Sequence, residues 1–330
     1  MIMLNVTALP NQLALIIVTY QSGQHIQACL TSLPLAEPHR RLHLLLVDNA
    51  SRDDTREQIQ AALESFPVER TSYKLIYNEA NLGFTHAVNQ ALAHAPQRTP
   101  VLFLNPDTEL PPQSLAVLLE KLYADEGAGV VAPQLRYPAN ANSTDEAIQA
   151  SCRHFPAYAD LFFEFTGLAR LFPHSPLFNR WKMGGFDHRT RRAVDQPQGA
   201  CLLARPEVIT QVGLWDELFP LFFSDVDWCR RVWQAGWKIY FEPEVTVFHE
   251  QGASVKQTRP RAIWSSHVSF WRYFRKWRAS WRDEILSLVV APVLLLAALV
   301  RIVLCNVSAV TQAPPEAAHA RQPKASTFCA

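Results

Sequence analysis

The sequence has no excess of charge of either sign. Its 31 Lys and Arg residues nearly balance 30 Asp and Glu residues, so the formal net charge is +1. Nucleic-acid-binding proteins usually carry a strong basic excess, and we expect no nucleic-acid partner. With 330 residues, 48% apolar and 18% charged, the chain is long enough for one large folded domain or two modest ones. This composition excludes disorder and a collagen-like structure.

Cysteine pairs and glycine-rich phosphate loops are also absent. The six cysteines include no C-x-x-C pair and no regular spacing, which argues against a zinc site or a disulfide framework and favours a reducing compartment. No G-x-G-x-x-G motif follows the first apolar run, and no G-x-x-x-x-G-K-[ST] motif occurs. The sequence therefore lacks the usual dinucleotide and P-loop cradles, and a phosphate group must be bound by other means.

The two ends of the chain differ in character. Residues 1–12 show no basic region followed by an apolar stretch, so we expect no cleavable secretory signal. Residues 256–282 contain eight Lys or Arg residues, no Asp or Glu, and several aromatic residues. This composition is typical of a segment at the headgroups of an anionic cytoplasmic leaflet. An RNA-binding basic helix or a solvated face is the alternative.

An apolar run follows this basic segment. Residues 285–300, continued by 302–304, approach the roughly 20 residues that a membrane-spanning helix needs. The run either crosses a membrane with Arg301 near the far side, or lies shallow with a kink at Pro292. The tail beyond Pro314 is rich in Ala, Pro and Gln, and we expect it to be disordered.

Short apolar runs alternate with polar helical stretches in the first half of the chain. The runs at 13–18, 42–47, 73–77 and 101–104 are typical of buried parallel strands. Helices are expected near 24–33, 53–65, 84–94 and 112–123. Ser51 and Asp54 resemble a capping box at the start of the second helix. The alternation predicts a doubly wound, mostly parallel α/β sheet with right-handed connections.

Polar residues follow each of the four predicted strands, where ligands bind in such sheets. They form the following segments: Thr19-Tyr20, Asp48-Asn49-Ala50-Ser51, Asn78 with Asn81-Leu82-Gly83-Phe84, and Asn105-Pro106-Asp107. Each segment alone would be ordinary turn chemistry, but four at one edge predict a polar pocket. Asp107 is suited to a divalent cation that bridges a diphosphate, and Asp48 to accepting hydrogen bonds from a base or a sugar hydroxyl.

These motifs resemble the inverting glycosyltransferases of family 2, which have the GT-A fold, and among them the rhamnosyltransferase-like branch that extends bacterial cell-surface polysaccharides. The similarity spans residues 13–255. It continues through the following residues: Asn89, Gly199-Ala200-Cys201, Gly213-Leu214-Trp215-Asp216-Glu217, Phe222-Phe223-Ser224-Asp225-Val226-Asp227, Ala235-Gly236 and His249. The resemblance implies a nucleotide-sugar donor, a divalent metal (Mg²⁺ or Mn²⁺) and inversion at the anomeric carbon.

The resemblance also assigns roles to residues around the donor. Asp107 matches the metal-binding aspartate of the DxD-type motif, whose first acidic position is Asn105 here, and His249 matches a histidine that approaches the metal and diphosphate. The nucleotide-binding set it implies comprises Thr19, Tyr20, Asp48, Asn49, Asn81, Gly83, Asn89 and Asn105. Within this set, Asp48 matches the residue that reads the nucleobase, and Gly83 lies in the loop that closes over the nucleotide.

On the acceptor side, Asp225 matches the aspartate of the Glu-Asp pair that supplies the catalytic base, with Ser224 in place of the glutamate. A single carboxylate base suffices for inversion, because the acceptor hydroxyl attacks directly. Asp227, Trp215, Gly199 and Ala200 are weaker acceptor-site candidates. Ser224 and Asp227 also fit a helix amino terminus with the serine as its cap, and Trp215 also fits a packing role.

Residues 140–195 are expected to form a long connection over the mouth of the site, acting as a lid or an acceptor-binding loop. Arg153 and the arginines within 189–192 are candidates for contacts with a lipid diphosphate. Solvated charges on an exposed loop are the alternative.

Together these observations predict an enzyme that transfers a sugar, plausibly rhamnose, from a dTDP- or UDP-linked donor to a lipid-linked saccharide in cell-surface polysaccharide synthesis. We expect a catalytic domain at 1–255, with a nucleotide-sugar half at 13–135 and an acceptor half at 136–255. A basic aromatic segment at 256–284, a membrane segment at 285–305 and a disordered tail at 306–330 would follow. Its expected location is the cytoplasmic face of a bacterial inner membrane, bound peripherally or by one span.

Two alternatives remain open at this point. A catalytically silent sugar-nucleotide-binding or scaffolding subunit is one, because Asn105 and Ser224 replace acidic residues of the family pattern. A sugar-nucleotide pyrophosphorylase is the other, but it would normally show a glycine-rich phosphate loop near the first strand, and Gly23 alone does not provide one.

Overall fold

A computed structural model describes residues 9–138, 147–250 and 259–311. The chain divides into two units, Met1–Lys256 and Gln257–Ala330. The strands of the first unit are β1 Gln12–Thr19, β2 Arg41–Asp48, β3 Thr71–Tyr77, β4 Val101–Leu104, β5 Thr108–Glu109, β6 Ala128–Arg136, β7 Cys152–Arg153, β8 Arg192–Ala193, β9 Gln196–Pro197, β10 Cys201–Ala204 and β11 Lys238–His249. Its helices are α1 Gly23–Ala36, α2 Thr55–Leu63, α3 Phe84–Leu92, α4 Ser114–Tyr123, α5 Tyr158–Phe165, α6 Leu168–Leu171, α7 Pro206–Val212 and α8 Ser224–Gln234.

The central sheet is mostly parallel and has the strand order β3-β2-β1-β4-β10-β6-β11-β5, with β8 paired to β11. Strands β1 to β4 run parallel to one another, as do β6 and β11. Strand β10 lies antiparallel between β4 and β6 and joins the two parallel groups. Strands β7 and β9 form a separate two-stranded ribbon.

Both faces of the sheet are buried, which explains the continuous apolar runs in its strands. Along β1, Leu13, Leu15 and Ile17 pack into one core with the inner sides of α1, α2 and α4. The alternate residues Ala14 and Ile16 pack into the opposite core, to which α3, α7 and α8 contribute. This is the doubly wound α/β architecture predicted from the sequence, and the four predicted strands and helices are confirmed to within a few residues.

One local expectation is wrong. Helix α2 begins at Thr55, with Asp54 rather than Ser51 at its cap position. The Ser51 hydroxyl instead accepts a hydrogen bond from Gln21 N at 2.9 Å. Ser51 therefore ties the loop after β1 to the loop after β2, and it does not form a capping box.

The second unit contains two helices that pack against each other, α9 Arg259–Lys276 and α10 Trp281–Thr311. Helix α10 starts before residue 285 because Asp283 Oδ2 accepts hydrogen bonds from the backbone N–H groups of Ala279 and Ser280, both at 2.9 Å. The helix also continues to Thr311, past the expected boundary between the membrane segment, 285–305, and the tail, 306–330. Residues 251–258, which include the expected domain boundary, and 312–330 lie outside the described residues.

Helix α10 has the length and composition of a membrane span. The most apolar 18-residue window within Trp281–Cys305 has a mean hydropathy of 2.8, and most of that window is exposed. Within residues 281–305, Ser287, Leu294 and Ala298 are the buried positions, and their spacing places them on one side of the helix.

Candidate active site

Asp48, at the end of β2, is buried and held by three donors. Thr19 Oγ1 donates to Asp48 Oδ1 at 3.1 Å. Arg56 Nε and Ser51 N donate to Oδ2 at 2.7 and 3.3 Å. The Arg56 guanidinium also lies 4.8 Å from the centre of the Tyr77 ring. The Asp48 carboxylate is therefore held beside the Arg56 guanidinium, which also packs on the Tyr77 ring.

Tyr20, the other residue expected in this pocket, follows β1 directly and is partly exposed. Its backbone N donates to Ser22 Oγ at 3.2 Å, which fixes the turn between β1 and α1. The structure therefore places Tyr20 next to Thr19 at the end of the strand that neighbours Asp48.

Asn49 and Asn81 form an amide network with the loop after β3. Asn49 Nδ2 donates to Asn81 Oδ1 at 3.0 Å, and Asn49 Oδ1 accepts from Asn78 Nδ2 and Leu82 N at 3.1 and 3.0 Å. These side chains hold the 78–83 loop in place beside Asp48. Their hydrogen bonds are directed to each other and to the backbone, so they shape the pocket.

Gly83 lies where this loop meets residues 219 and 220. Its φ of +93° favours glycine, and an added Cβ would come within 3.1 Å of the Pro220 carbonyl oxygen. Thr85 Oγ1 then donates to Phe219 O at 2.5 Å. The close approach joins the nucleotide half of the domain to the segment that leads into α8.

Asn89, expected to bind the nucleotide, and Trp215, a candidate for the acceptor site, have structural roles instead. Asn89 Nδ2 donates to Trp215 O at 2.9 Å and to Glu217 Oε1 at 3.0 Å, while Asn89 Oδ1 accepts from Trp215 N at 2.9 Å. Trp215 is buried, and its ring stacks on Trp228 with centroids 5.5 Å apart. We therefore correct both assignments: Asn89 clamps the 215–217 segment to α3, and Trp215 belongs to the core.

Asn105 and Asp107 lie in the turn after β4. Asn105 N donates to Ala200 O at 2.9 Å, which extends the pairing of β4 with β10. Ala200 itself is buried, so its contribution is this backbone contact. Asp107 Oδ1 lies 3.4 Å from His249 Nε2 at the end of β11. Burial raises the pKa of Asp107, but the hydrogen bond and charge of a protonated His249, together with a backbone hydrogen bond and the charge of His25, lower it below its usual value.

The protonation of His249 follows from its other neighbour. Gln149 Nε2 donates to the carbonyl oxygen of His249 at 2.5 Å, so Gln149 Oε1 faces His249 Nδ1 at 3.0 Å as an acceptor. Nδ1 therefore carries a proton, and in the neutral ring Nε2 has only a lone pair. Nε2 is buried without a hydrogen-bond partner. It points a lone pair toward a carboxylate oxygen, an arrangement that a shared cation or a proton on Nε2 would stabilise.

Asp225 is held at the start of α8 by residues that precede β10. Gly199 N donates to Asp225 Oδ2 at 3.0 Å, and Gln196 Nε2 donates to the same oxygen at 3.1 Å. A Cβ at Gly199 would lie 3.1 Å from the Asp225 Cβ, so a larger residue there would press on the aspartate side chain. Burial raises the pKa of Asp225, although these hydrogen bonds oppose the shift.

The neighbours of Asp225 in α8 have other functions. Ser224 is the first helical residue, with Phe223 at the cap position, and Ser224 Oγ donates to Leu221 O at 3.2 Å. Ser224 is therefore not the N-cap that we expected. Asp227 is buried and accepts from Arg231 Nε at 3.0 Å, which makes it a helix residue in an internal ion pair and not an acceptor ligand.

A short chain of contacts joins the two halves of the site. Asp225 is bound to Gly199, the next residue Ala200 is bound to Asn105, and Asp107 follows two residues later. The expected base and the expected metal ligands therefore share one edge of the sheet. In the part of the chain that the structure describes, no third His, Cys, Asp or Glu side chain joins Asp107 and His249 to complete a metal-binding cluster.

Three contributors to the site were not predicted. They are Arg56 at Asp48, Gln149 at His249 and Gln196 at Asp225. Arg56 is the second residue of α2, Gln149 lies in the 140–195 connection, and Gln196 directly follows that connection. None belongs to a motif, and tertiary packing alone brings them to the site.

Comparison with known proteins identifies the family. The sequence model of the family described as "Glycosyl transferase family 2" matches residues 14–183, a little over half of the chain. This chain belongs to glycosyltransferase family 2. The resemblance drawn from the sequence motifs is thereby confirmed, as is the GT-A type of fold.

Curated relatives place it near rhamnosyltransferases. It is 28% identical over 279 residues to the N-acetylglucosaminyl-diphospho-decaprenol L-rhamnosyltransferase of Mycobacterium tuberculosis, covering 82% of this chain and 86% of the relative. It is 22% identical over 268 residues to the low-salt glycan biosynthesis hexosyltransferase Agl10 of Haloferax volcanii, covering 79% and 73%. The family 2 enzyme described here is thus a rhamnosyltransferase-like glycosyltransferase.

A solved structure supports the same fold. The mannosyltransferase PcManGT of Pyrobaculum calidifontis, determined with GDP-Man and Mn²⁺, superposes with a TM-score of 0.54 at 19% identity. The superposition covers 94% of this chain and 78% of the mannosyltransferase.

Proposed function

We propose that this family 2 enzyme transfers rhamnose, with inversion, from a thymidine-diphosphate donor to a lipid-linked saccharide at the cytoplasmic face of a bacterial inner membrane. The observation that carries the proposal is the shared sheet edge, at which Asp48, the Asp107–His249 pair and Asp225 lie. The mycobacterial relative, which is named for L-rhamnosyl transfer to N-acetylglucosaminyl-diphospho-decaprenol, supports the choice of sugar and acceptor class.

The surroundings of Asp48 support a pyrimidine nucleotide. Two donors occupy Asp48 Oδ2 and one occupies Oδ1, so one acceptor position remains on Oδ1 beside the Arg56 cation. Thymine and uracil present a single N–H between two carbonyl oxygens, which matches one acceptor flanked by a donor. Guanine presents two adjacent N–H donors and would need both carboxylate oxygens. We therefore favour a thymidine or uridine donor.

Asp107 and His249 are the residues that would hold Mg²⁺ or Mn²⁺. The buried, unpartnered Nε2 of His249 facing Asp107 at 3.4 Å fits this role, since imidazole nitrogen suits Mn²⁺ and carboxylate oxygen suits both ions. The bound cation supplies charge stabilisation to the departing nucleoside diphosphate. Because only two side chains contribute, the remaining ligands would be water and diphosphate oxygens.

Asp225 is the base in this proposal. Its carboxylate accepts a proton from the acceptor hydroxyl as that oxygen attacks the anomeric carbon and the diphosphate leaves. One hydroxyl attacks directly, so configuration inverts and no enzyme nucleophile is needed. Gly199 and Gln196 hold the carboxylate in position, and the pKa raised by burial makes it a stronger base than an exposed aspartate.

Membrane association completes the proposal. Helix α10 exposes a long apolar surface, and the basic residues of α9 and of the turn before α10 would meet anionic headgroups. A lipid-linked acceptor cannot leave the bilayer, so an enzyme held at the membrane meets it without a search through solution.

The test is donor binding and hydrolysis by the full chain in detergent, measured against thymidine-, uridine- and guanosine-diphosphate sugars with and without Mn²⁺ or Mg²⁺. We expect metal-dependent selection of a pyrimidine donor, with dTDP-rhamnose used best. Folded protein that binds none of these donors would contradict the proposal and favour the catalytically silent subunit.

A further inference from the structure

An exposed apolar patch lies on the α5–α6 segment of the catalytic unit. It consists of the side chains Phe162, Phe165, Leu171, Phe172 and Leu177, which are 44–69% exposed. Clusters of large exposed apolar side chains on a folded surface mark interaction sites more often than isolated ones do. The family motifs and the proposed reaction leave this patch without a function.

Packed aromatic rings support the patch. The Phe163 and Phe178 rings lie 5.3 Å apart edge to face, and Phe172 lies 5.2 Å from Phe178. The outward side chains are therefore carried by an ordered layer of rings beneath them. This arrangement differs from a set of apolar residues on an unstructured loop.

The charges around the patch suit an anionic surface. Residues 158–182, which include the patch, contain two carboxylates, and each forms an ion pair with a basic residue of the same segment. Asp160 is held by Arg180, and Glu164 by Lys182 at 2.6 Å. Arg170, which lies between Phe165 and Leu171 in the chain, is exposed. Among the described residues of this segment, the charge presented outward is thus positive.

The same segment is attached to the support of Asp225. Arg180 Nη2 donates to Phe155 O at 2.9 Å, and Phe155 N donates to Asp195 Oδ2 at 3.0 Å. The next residue, Gln196, donates to Asp225. A chain of contacts that runs past the β7–β9 ribbon therefore links the segment of the patch to the proposed base.

We propose that this patch is a membrane-contact surface of the catalytic unit, which inserts into the headgroup–acyl boundary of an anionic bilayer. Phe162, Leu171 and Leu177 are each 60–69% exposed, so each offers most of its apolar side chain to a surrounding lipid phase. The contact would bring the bilayer next to Asp225, where a lipid-linked acceptor must arrive. That purpose rests on the proposed function, whereas the membrane contact itself does not.

Photolabelling tests the contact without any enzyme assay. The full chain is bound to phosphatidylcholine–phosphatidylglycerol vesicles that contain a phospholipid with a carbene precursor in its acyl chain, irradiated and digested for mass spectrometry. We expect labelled peptides from residues 158–182 as well as from α10. Labelling of α10 without labelling of 158–182 would overturn the proposal.

The variant for this test is F162S/L171S/L177S, and its matched control is L35S, because Leu35 on α1 is 62% exposed. Labelling of 158–182 should fall by about tenfold or more in the triple variant, since three large apolar side chains are removed, and should stay unchanged in L35S. The melting temperature of both proteins confirms folding. If wild type instead self-associates and the triple variant does not, without lipid labelling, the patch is a contact between copies and the proposal fails.

A kinetic experiment tests whether the membrane contact brings the enzyme to its lipid-linked acceptor. The triple variant should raise KM about tenfold or more for N-acetylglucosaminyl diphosphate on a long polyprenol in vesicles. It should leave KM unchanged for the same saccharide on a short, water-soluble alcohol. Equal effects on both acceptors would overturn the assigned purpose. Absence of transfer by wild type to either acceptor would contradict the proposed function, and the photolabelling would still decide the membrane contact.

Discussion

At the residue scale, Arg56 is the side chain that we expect to favour pyrimidine over purine donors in the proposed reaction. It occupies one oxygen of Asp48 at 2.7 Å. We predict that R56Q weakens binding of thymidine diphosphate about tenfold, the effect of losing a partly exposed charged hydrogen bond of roughly 1.4 kcal/mol. Binding of guanosine diphosphate should weaken less or improve.

Calorimetric titration of both nucleotides measures this difference. R52Q is the matched control, because Arg52 lies four residues earlier, in the loop before α2, and is exposed, so it removes the same charge without touching Asp48. If R56Q weakened the binding of thymidine diphosphate and guanosine diphosphate equally, Arg56 would act only through its charge. The same conclusion would follow if R52Q lost as much affinity for thymidine diphosphate as R56Q does.

Asn89 provides a second test at this scale, because its three hydrogen bonds lie within the protein. We predict that N89A lowers the melting temperature by about 4–8 °C, corresponding to roughly 2 kcal/mol for lost buried hydrogen bonds in a domain of this size. Its affinity for donor nucleotide should stay within about twofold of wild type. An unchanged melting temperature with a large loss of nucleotide affinity would restore the nucleotide-binding role that we have withdrawn.

The raised pKa of Asp225 has a consequence for pH dependence. A base must be deprotonated, so kcat should fall as pH drops through the raised pKa of Asp225, above the usual aspartate value of about 3.9. Gln196 stabilises the charged carboxylate, and Q196L should therefore raise the pKa further. We predict that the acidic limb of the pH–kcat profile moves to higher pH in Q196L. A limb that stays fixed or moves to lower pH would exclude Asp225 as the titrating base.

At the element scale, helix α10 is the part of the chain that we expect to bind lipid. Leu296 is 63% exposed in an apolar stretch, and a charge placed in a bilayer costs about 2.5 kcal/mol or more. We predict that L296D markedly reduces retention of the chain on anionic vesicles in flotation experiments. V68D is the control, since Val68 is an exposed apolar residue of the catalytic unit, and it should float like wild type. Equal retention of L296D would argue against membrane binding by α10.

The elements differ in how far the sequence could predict them. Strands β1, β2 and β4 are mostly buried, so their apolar runs are continuous and bounded by turn residues, and their positions could be predicted. Strand β3 lies at the edge of the sheet and is mostly exposed, and it could be predicted from its short apolar run and its place in the alternation of strands and helices. The segment from Cys152 to Pro197 has two-residue strands and short helices that depend on ion pairs such as Asp160–Arg180. Such partners are distant in sequence and leave no periodic pattern, so this segment could be described only as a long connection.

The same distinction applies to the site. Asp48, Asp107 and Asp225 could be proposed because they follow strands or begin a helix within family motifs. Arg56, Gln149 and Gln196 could not, because only the folded chain brings them to those carboxylates. Asn89 and Trp215 were misassigned for a related reason: the motif includes residues that hold the site together as well as residues that face the ligand.

At the scale of the whole molecule, residues from both parts of the first unit meet at one sheet edge. Residues 13–135 include Asp48 and Asp107, and residues 136–255 include His249 and Asp225. Strand β10, antiparallel between the two parallel groups, joins these halves through the Asn105–Ala200 contact. Mutations should therefore be able to change turnover without changing donor binding, because the groups proposed to bind the donor and the group proposed to activate the acceptor lie on different elements.

The most direct test of this account compares turnover and donor binding in D225N, with D227N as the control from the same turn of α8. We predict that D225N lowers kcat by about 10²–10⁴-fold, as expected for loss of a general base, while its dissociation constant for the donor nucleotide stays near the wild-type value. D227N should lower the melting temperature through loss of the Arg231 ion pair and should retain turnover wherever it is folded. Wild-type turnover in D225N, or equal loss of turnover and donor binding in a folded protein, would contradict the assignment of Asp225 as the base.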